Sequence, residues 1–444
     1  MRPSKQLSLC LALAAGLAGC ESTRLPSGAD TGPRPALVEP VKAVVPTFHI
    51  APAKPWREGE APTAAAGLQV QALATGLDHP RWLHVLPNGD VLVAETNAPP
   101  RPDDSKGFKA WVAGKIMARA GAKTPSANRI TLLRDADGDG RAELRETFAA
   151  GLNSPFGMAL VGDRFYVANT DAVLEFAYTP GQTRLTGAGR KLTDLPAGPR
   201  NHHWTKSLIA SPDGSRLYAT VGSNSNVAEH GMAAEEGRAA IWEIDRASGT
   251  KRLFATGLRN PNGMAWLPAP GGGAPVLWTV VNERDELGSD LVPDYLTAVR
   301  DGGFYGWPYS WFGAHVDARV QPPRPDLVAQ AIVPDYALGA HVAPLGLVAT
   351  AAGPVTTAVA GSAASGVIVG LHGSWNRRPL SGYKVVFVGF AEGRPQGQPV
   401  DVLTGFVGTE GEARGRPVGV AMDARGALLV ADDVGDTVWR VAPR

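Results

Sequence analysis

The amino-acid sequence predicts an all-β protein folded as a six-bladed β-propeller, on three observations. The chain of 444 residues holds 53 glycines and 37 prolines, about a fifth of the total, against roughly an eighth in average usage. Turns are therefore many, and a helix-rich fold is excluded. From Gly67 onward one pattern recurs six times: a short loop, an apolar stretch, a turn and a second apolar stretch. Residues 67–444 leave about 63 residues for each copy, more than a minimal four-stranded blade needs, so long loops are inserted where function concentrates.

The copies run in order. The first is GLDHPRWLHVLPNGDVLVAET from Gly76, and the second is GLNSPFGMALVGDRFYVANT from Gly151. HHWTKSLIASPDGSRLYATVG from His202 and GLRNPNGMAWLPAPGGGAPVLWTVVN from Gly257 follow. APLGLVATAAGPVTTAVAGSAASGVIVGLHG from Ala343 and GRPVGVAMDARGALLVADD from Gly415 complete the set. Val91, Val93, Val167, Val221, Val280 and Val430 stand in β-branched or alternating runs, which read as strands. The turns PNG, PDG and ARG join paired strands where glycine tolerates positive φ. One hairpin cannot bury both faces, but six around an axis can, with few exposed edges. A β-sandwich and a seven-bladed ring are the alternatives for the same pattern.

The domain organisation follows from composition. Arg2 and Lys5 precede an apolar stretch from Leu7 to Leu17, too short to span a bilayer permanently. The ending LAGC resembles a bacterial lipobox, so residues 1–19 read as a lipoprotein signal peptide and Cys20 as the lipidated first residue of the mature chain. An ordinary cleaved signal with a chance cysteine is the other reading. Glu21 favours an outer-membrane anchor facing the periplasm of a Gram-negative bacterium. Residues 20–66 read as a disordered Pro/Ala-rich tether, part of VVPTFHIAPAKPW packing on the domain, and 67–444 as the propeller. Hydrophobic residues at 44% exclude global disorder. Lys+Arg at 43 against Asp+Glu at 42, with no basic stripe, exclude a nucleic-acid protein. Cys10 and Cys20 alone exclude a disulfide scaffold and a cysteine zinc site.

Propellers place sites where their inner strands begin. The polar residues expected to converge there are Arg81, His203, Arg259, Asn260, Asn262, His341, Arg414 and Arg416. Cations and amides gathered near one axis are costly without a partner. They point to an anionic or multi-oxygen ligand, for which arginine offers fixed forks and histidine a base near neutrality.

Three further motifs carry chemistry. DADGDGRAELRE sets Asp135, Asp137, Asp139 and Glu146 at positions one, three, five and twelve of a calcium-loop pattern, with Gly140 at six. Its flanks read as strands, so a calcium-binding hairpin is expected, with a plain acidic turn as the alternative. RDGGFYGWPYSWFG is either a sugar-facing wall or a packed inter-blade loop. Asp290 and Asp294 either support a neighbouring calcium loop or cap turns. No Ser-His-Asp, P-loop or dinucleotide fingerprint is present.

The segments HHWTKSLIASPDGSRLYATVGSN, GLRNPNGMAW, VVNERDELGSDLVPDYLTAVRDGGFYGWPYSW, LHGSWNRRPLSGYKVV and RGRPVGVAMDARGALLVADD together resemble the sorbosone dehydrogenase family. That family is related to soluble glucose and aldose sugar dehydrogenases that use pyrroloquinoline quinone (PQQ). The resemblance spans roughly residues 67–443, and GLRNP and GFYGWPY are its most specific parts. It implies a six-bladed propeller with PQQ at the channel mouth and an aldose or sorbosone-type sugar oxidised to the lactone or acid. His203 then matches the base that takes a proton from the sugar C1 hydroxyl, while hydride passes to the C5 carbonyl of PQQ. Arg259 and Asn260 match residues that polarise the quinone oxygen and bind cofactor, and Asn262 stands where relatives carry an amide. Arg414 and Arg416 match a pair holding PQQ carboxylates. NERD matches the loop whose backbone carbonyls, here those of Arg284 and Asp285, bind calcium. Asn376 stands in place of a cofactor-contacting lysine, with Arg377 beside it. Ser223 replaces an Asp that orients the histidine, and Glu235 or Glu236 is expected to substitute. These departures favour the sorbosone/aldose branch. Two rivals are a non-catalytic glycan- or protein-binding propeller and a calcium-dependent lactonase-type hydrolase.

Overall fold

The computed structural model describes residues 22–41, 47–100, 124–361 and 364–444. Residues 1–19 and Cys20, read as signal peptide and lipidation site, lie outside the described residues.

Six sheets of four or five strands, antiparallel but for one short parallel edge strand, surround one axis. Blade I is Pro80–Val85, Val91–Glu95, Arg129–Arg134 and Leu144–Ala149, and blade II is Met158–Val161, Arg164–Ala168, Ala172–Ala177 and Arg190–Asp194. Blade III is Leu208–Ala210, Arg216–Val221, Ala240–Asp245 and Lys251–Thr256, extended by Gly303–Phe304. Blade IV is Asn260–Leu267, Val276–Asn282, Pro293–Ala298 and Tyr336–Ala340. Blade V is Pro344–Thr350, Gly366–Leu371, Lys384–Ala391 and Arg394–Thr404. Blade VI is Pro417–Met422, Leu428–Asp432 and Thr437–Pro443, completed by Leu68–Ala74 from the other end of the domain. That last pairing closes the ring through long-range sequence ends, and it settles six blades against the sandwich and the seven-bladed ring.

The first strand of each blade touches the first strand of the next, all the way round. Glycine makes this possible. A Cβ added at Gly157, Gly263, Gly346 or Gly419 would lie under 3.0 Å from the backbone of the following blade's inner strand, so the glycine shared by these four copies is where strands crowd the axis. Val91–Glu95 and Leu428–Asp432 are buried at every position. These second strands are packed between neighbouring blades, so they read as continuous apolar runs instead of alternating ones.

The segment read as a tether is corrected for its described residues. It makes few bonds of its own, yet the propeller holds it along much of its length. Thr31–Gly32 adds an edge strand to blade IV, and Thr63–Ala64 adds one to blade V. His49 and Ala53 form parallel bridges to Asn376 and Ala413. Trp56 packs edge-on against Phe406 and Trp439, and its Nε1 donates to Asp432 at 2.7 Å. A Pro/Ala-rich stretch cannot bury surface alone, but single aromatic side chains find sockets on a finished fold.

The acidic hairpin joins strands Arg129–Arg134 and Leu144–Ala149, as expected. Its carboxylate set is corrected. Asp135, Asp137 and Asp139 gather with Glu143, their oxygens within 4.8 Å of one another. Glu146 already lies in the strand and pairs with Arg184 at 3.4 Å. A helix-flanked loop would bring position twelve back, whereas here the strand begins at Leu144 and carries Glu146 away. The same carboxylates accept backbone amides of Ala136, Gly138 and Gly140, and Arg425 donates to Asp135 at 3.2 Å. The hairpin sits where third strands end, on the face opposite the starts of the first strands.

Candidate active site at the channel mouth

The mouth is lined by loops that precede first strands and follow second strands. His203 stands in the loop before Leu208–Ala210. Its Nδ1 lies 2.8 Å from the Ser223 carbonyl oxygen and 3.0 Å from Ser223 Oγ. A carbonyl can only accept, so Nδ1 carries the proton and Nε2 keeps its lone pair. Burial, with the charges of His202 and Arg259, holds this imidazole well below its usual range. A side chain at Gly222 would strike both Asn260 Oδ1 and the His203 Cβ, so the bare glycine lets the amide sit beside the imidazole.

Neither Glu235 nor Glu236 reaches His203, which corrects the expected substitution. Glu235 accepts from the Asn224 amide at 2.6 Å and from Ser225, while Glu236 is exposed. The Asp-to-Ser change is met by the main chain of Ser223, braced from behind by Glu235.

Asp285 organises one side of the mouth. Arg259 Nη2 donates to Asp285 Oδ2 at 2.8 Å, and Asn376 Nδ2 donates to Oδ1 at 2.9 Å. His341 Nδ1 is 3.4 Å from Oδ1. Burial opposes the Asp285 charge, but Arg259, His341 and Asn376 outweigh it and hold the carboxyl well below its usual range. Burial likewise opposes charge on His341, yet Asp285 wins and raises it. Arg259 also donates to the Glu283 carbonyl at 2.6 Å. The Asp285 carbonyl accepts from Asn226 Nδ2 at 3.2 Å, and the Arg284 side chain is buried against Asp317 at 2.6 Å. Asp294 caps turns: it accepts from the Glu283 and Ala343 amides at 2.8 and 2.7 Å. Asp290 holds the Arg24 amide at 2.7 Å.

A second carboxylate, Asp433, organises the other side. It accepts from Arg81 at 2.6 Å and from His372 at 2.9 Å, with His79 at 3.6 Å. Arg81 lies 5.8 Å from the ring centre of Trp204, the residue after His203, which joins the two sides. Arg416 stacks on Tyr383 at 4.9 Å and donates to its hydroxyl at 3.1 Å.

Not every expected residue faces the mouth. Asn262 is fully buried, with its amide spent on the Asn260 carbonyl and Thr205. Arg414 pairs with Glu60 at 2.6 Å and Glu412 at 3.1 Å. Arg377 turns toward Asp30 at 3.3 Å and Asp290 at 3.7 Å. The aromatic loop is packed: Tyr305, Trp307, Trp311 and Phe312 are all buried.

Sequence reasoning missed two groups. Asp433 follows the second strand of blade VI as Ser223 and Asp285 follow those of blades III and IV, so superposing the repeats would have found it. Lys206 is fully buried, with Nζ donating to the carbonyls of Trp204 at 3.2 Å and His203 at 3.4 Å. Burial holds its ammonium well below the usual range. A lysine beside an apolar run carries no local sign of this.

Several buried polar atoms of the mouth lack a hydrogen-bond partner: Arg81 Nε, Arg416 Nε, Asn260 Oδ1, Asn376 Oδ1 and Asp433 Oδ1. Such orphans are rare in folded proteins and call for a ligand. A molecule rich in carboxylate and carbonyl oxygens satisfies the arginines, and one that also brings hydroxyl groups satisfies the amides. PQQ with a sugar fits this donor set.

A six-bladed propeller with this polar mouth has the fold of the PQQ-dependent sugar dehydrogenases. The chain belongs to the TrAA12-like family, whose model matches residues 128–294 and 327–443. It is similar to the holo PQQ domain of pyranose dehydrogenase from Coprinopsis cinerea, at 21% identity over 89% of this chain and 100% of that one, with a TM-score of 0.65. The calcium structure of the Trichoderma reesei family AA12 carbohydrate-active enzyme matches at 19% identity, 90% and 99% coverage and a TM-score of 0.66. PQQ-bound aldose sugar dehydrogenase from Streptomyces coelicolor matches at 17% identity, 86% and 100% coverage and a TM-score of 0.53.

Proposed function

We propose that this chain is a PQQ- and calcium-dependent dehydrogenase that oxidises an aldose or sorbosone-type sugar to the lactone or acid. The observation that carries this reading is the placement of His203 at the mouth with its Nδ1 2.8 Å from the Ser223 main-chain carbonyl. Its Nδ1 proton is pinned by a main-chain carbonyl, and its depressed affinity leaves Nε2 free to accept a proton at neutral pH. In this reading Nε2 takes the proton of the sugar C1 hydroxyl. PQQ, when bound, supplies the electrophilic quinone that accepts hydride. Arg81, Arg259, Asn260, Asn376 and Arg416 hold that cofactor, and the carbonyls of Arg284 and Asp285 hold calcium. Arg377 and Arg414 are satisfied by local carboxylates and act at one remove.

The lactonase rival needs side-chain carboxylates converging on a central metal. Asp285 and Asp433 are instead each bound to an arginine and at least one histidine. The binding-propeller rival gives no role to an imidazole held neutral with a free ring nitrogen. An anchor at Cys20, facing the periplasm, belongs to the same proposal. Among the described residues no helix is long and apolar enough to cross a membrane.

The test is reduction of a dye acceptor by the purified protein with a panel of aldoses and sorbosone. Activity that needs both PQQ and calcium, and is lost on chelation, supports the reading. Turnover of lactones without PQQ favours the hydrolase, and no PQQ uptake in an absorbance titration favours the binding propeller.

A further inference from the structure

We infer that Trp56, which stands outside the six blades, is a positioning residue for Arg416 and Asp433 at the channel mouth; that these two serve cofactor binding rests on the dehydrogenase reading. The link is Asp432, the fully buried last residue of the second strand of blade VI. Its Oδ2 accepts from Trp56 Nε1 at 2.7 Å and from Trp439 Nε1 at 3.0 Å. Its Oδ1 accepts from the Arg416 amide at 2.7 Å and from the Gly435 amide at 2.8 Å. All of these donors are neutral N–H groups, so the buried carboxylate depends on each of them. Burial pushes its carboxyl up to about 6, and the donors pull the other way. The half-buried indole is seated for this bond. A Cβ at Gly435 would strike both Trp56 Cδ1 and Asp432 Oδ2, and one at Gly415 would strike the same oxygen. Two bare glycines therefore make room for the carboxylate and for the ring that reaches it.

Asp432 passes this anchorage to the mouth through the main chain. Arg416 is held at both of its peptide groups: its amide by Asp432, and its carbonyl by the Asp433 amide at 3.4 Å. The Asp433 side chain in turn accepts from Arg81 at 2.6 Å and from His372 at 2.9 Å. The tip of Arg416 meets the N-terminal segment as well, where its Nη2 donates to the Ala51 carbonyl at 3.4 Å. The same segment pairs with the chain just before Arg416. The Ala413 amide donates to the Pro52 carbonyl at 2.8 Å, and the Lys54 amide donates to the Ala413 carbonyl at 2.9 Å. Packing against Phe406 and Trp439 needs only the ring of Trp56. The Nε1 bond is what couples that ring to Arg416.

The experiment compares the wild-type protein with Trp56→Phe and Lys54→Ala. The first keeps an aromatic ring on Phe406 and Trp439 but drops the donor, and the second loosens the same segment without touching Asp432. PQQ binding is read by absorbance titration with calcium present, and stability by the urea midpoint. Trp56→Phe is expected to raise the PQQ dissociation constant about tenfold or more, the usual cost of losing the partner behind a ligand-holding group. Lys54→Ala is expected to stay within about twofold of the wild-type protein. A merely structural indole would lower the urea midpoint and leave PQQ affinity alone, which overturns the inference, as does an equal loss of affinity in both variants. Hydrogen exchange separates this inference from the reading it rests on. If the wild-type protein takes up no PQQ, the dehydrogenase reading falls, and exchange of the Arg416 and Asp433 amides decides. Exchange about tenfold faster in Trp56→Phe than in the other two proteins supports the positioning role, and equal rates overturn it.

Discussion

Ser223 binds His203 and Arg259 at once: its carbonyl oxygen accepts from His203 Nδ1 at 2.8 Å, and its amide donates to the Arg259 carbonyl at 2.7 Å. The candidate base and the candidate electrophile-binding arginine are thereby set from the main chain of one residue. Main chain moves less than a side chain, so this arrangement gives orientation without a carboxylate.

Replacement of His203 by alanine is expected to lower sugar oxidation by about 10²–10⁴-fold, with PQQ affinity unchanged within a few-fold. Absorbance titration and dye reduction on the same preparation read the two quantities. Unchanged turnover removes His203 from the mechanism.

The pH profile follows from the direction of the His203 shift. The base works when neutral, and burial with the charges of His202 and Arg259 lowers its proton affinity. The acid limb of kcat/KM is therefore expected below pH 6.5, with activity lost as pH falls through it. Ser223→Asp places a carboxylate against Nδ1, which stabilises the imidazolium and moves that limb to higher pH. A limb that stays in place shows that another group sets it.

Lys206 reaches the carbonyl of His203 itself and that of Trp204. Lys206→Met keeps the volume but drops both bonds. The Trp204 carbonyl keeps its bond from Thr170 Oγ1 at 2.9 Å, while the His203 carbonyl loses the Lys206 donor, at a cost of about 1–3 kcal/mol. The expected result is a fall in kcat with little change in KM and a displaced acid limb. A purely structural lysine would lower the unfolding midpoint and leave the pH profile alone.

Trp56 measures how firmly the N-terminal segment is bound. Trp56→Ala removes two edge-on aromatic contacts and the bond to Asp432, with an expected loss of about 2–4 kcal/mol in unfolding experiments. A freely moving segment would show no loss.

The blades were legible because their signals are local. The runs around Val93 and Val430 and the turn glycines repeat in register. The mouth was partly legible for the same reason: His203, Arg259, Asn260 and Arg416 stand at equivalent strand starts. Arg414 shares that placement and Arg377 lies in the loop after Gly366–Leu371, yet their guanidinium groups follow nearby carboxylates. Asp30 and Glu60, which claim them, lie more than 300 residues away in sequence.

The sequence by itself determined the six-fold repeat, the end of the ring that carries the site and the candidate base. Periodicity and turn chemistry are properties of neighbouring residues, and they need no knowledge of the whole chain. Only the tertiary structure decided what holds that base, which cations face the mouth, that Glu143 and not Glu146 joins the acidic hairpin, and that Leu68–Ala74 closes the ring. The hairpin turns on where the strand at Leu144 begins; the others depend on a partner distant in the chain or on a main-chain atom, and a carbonyl oxygen has no residue type to betray it.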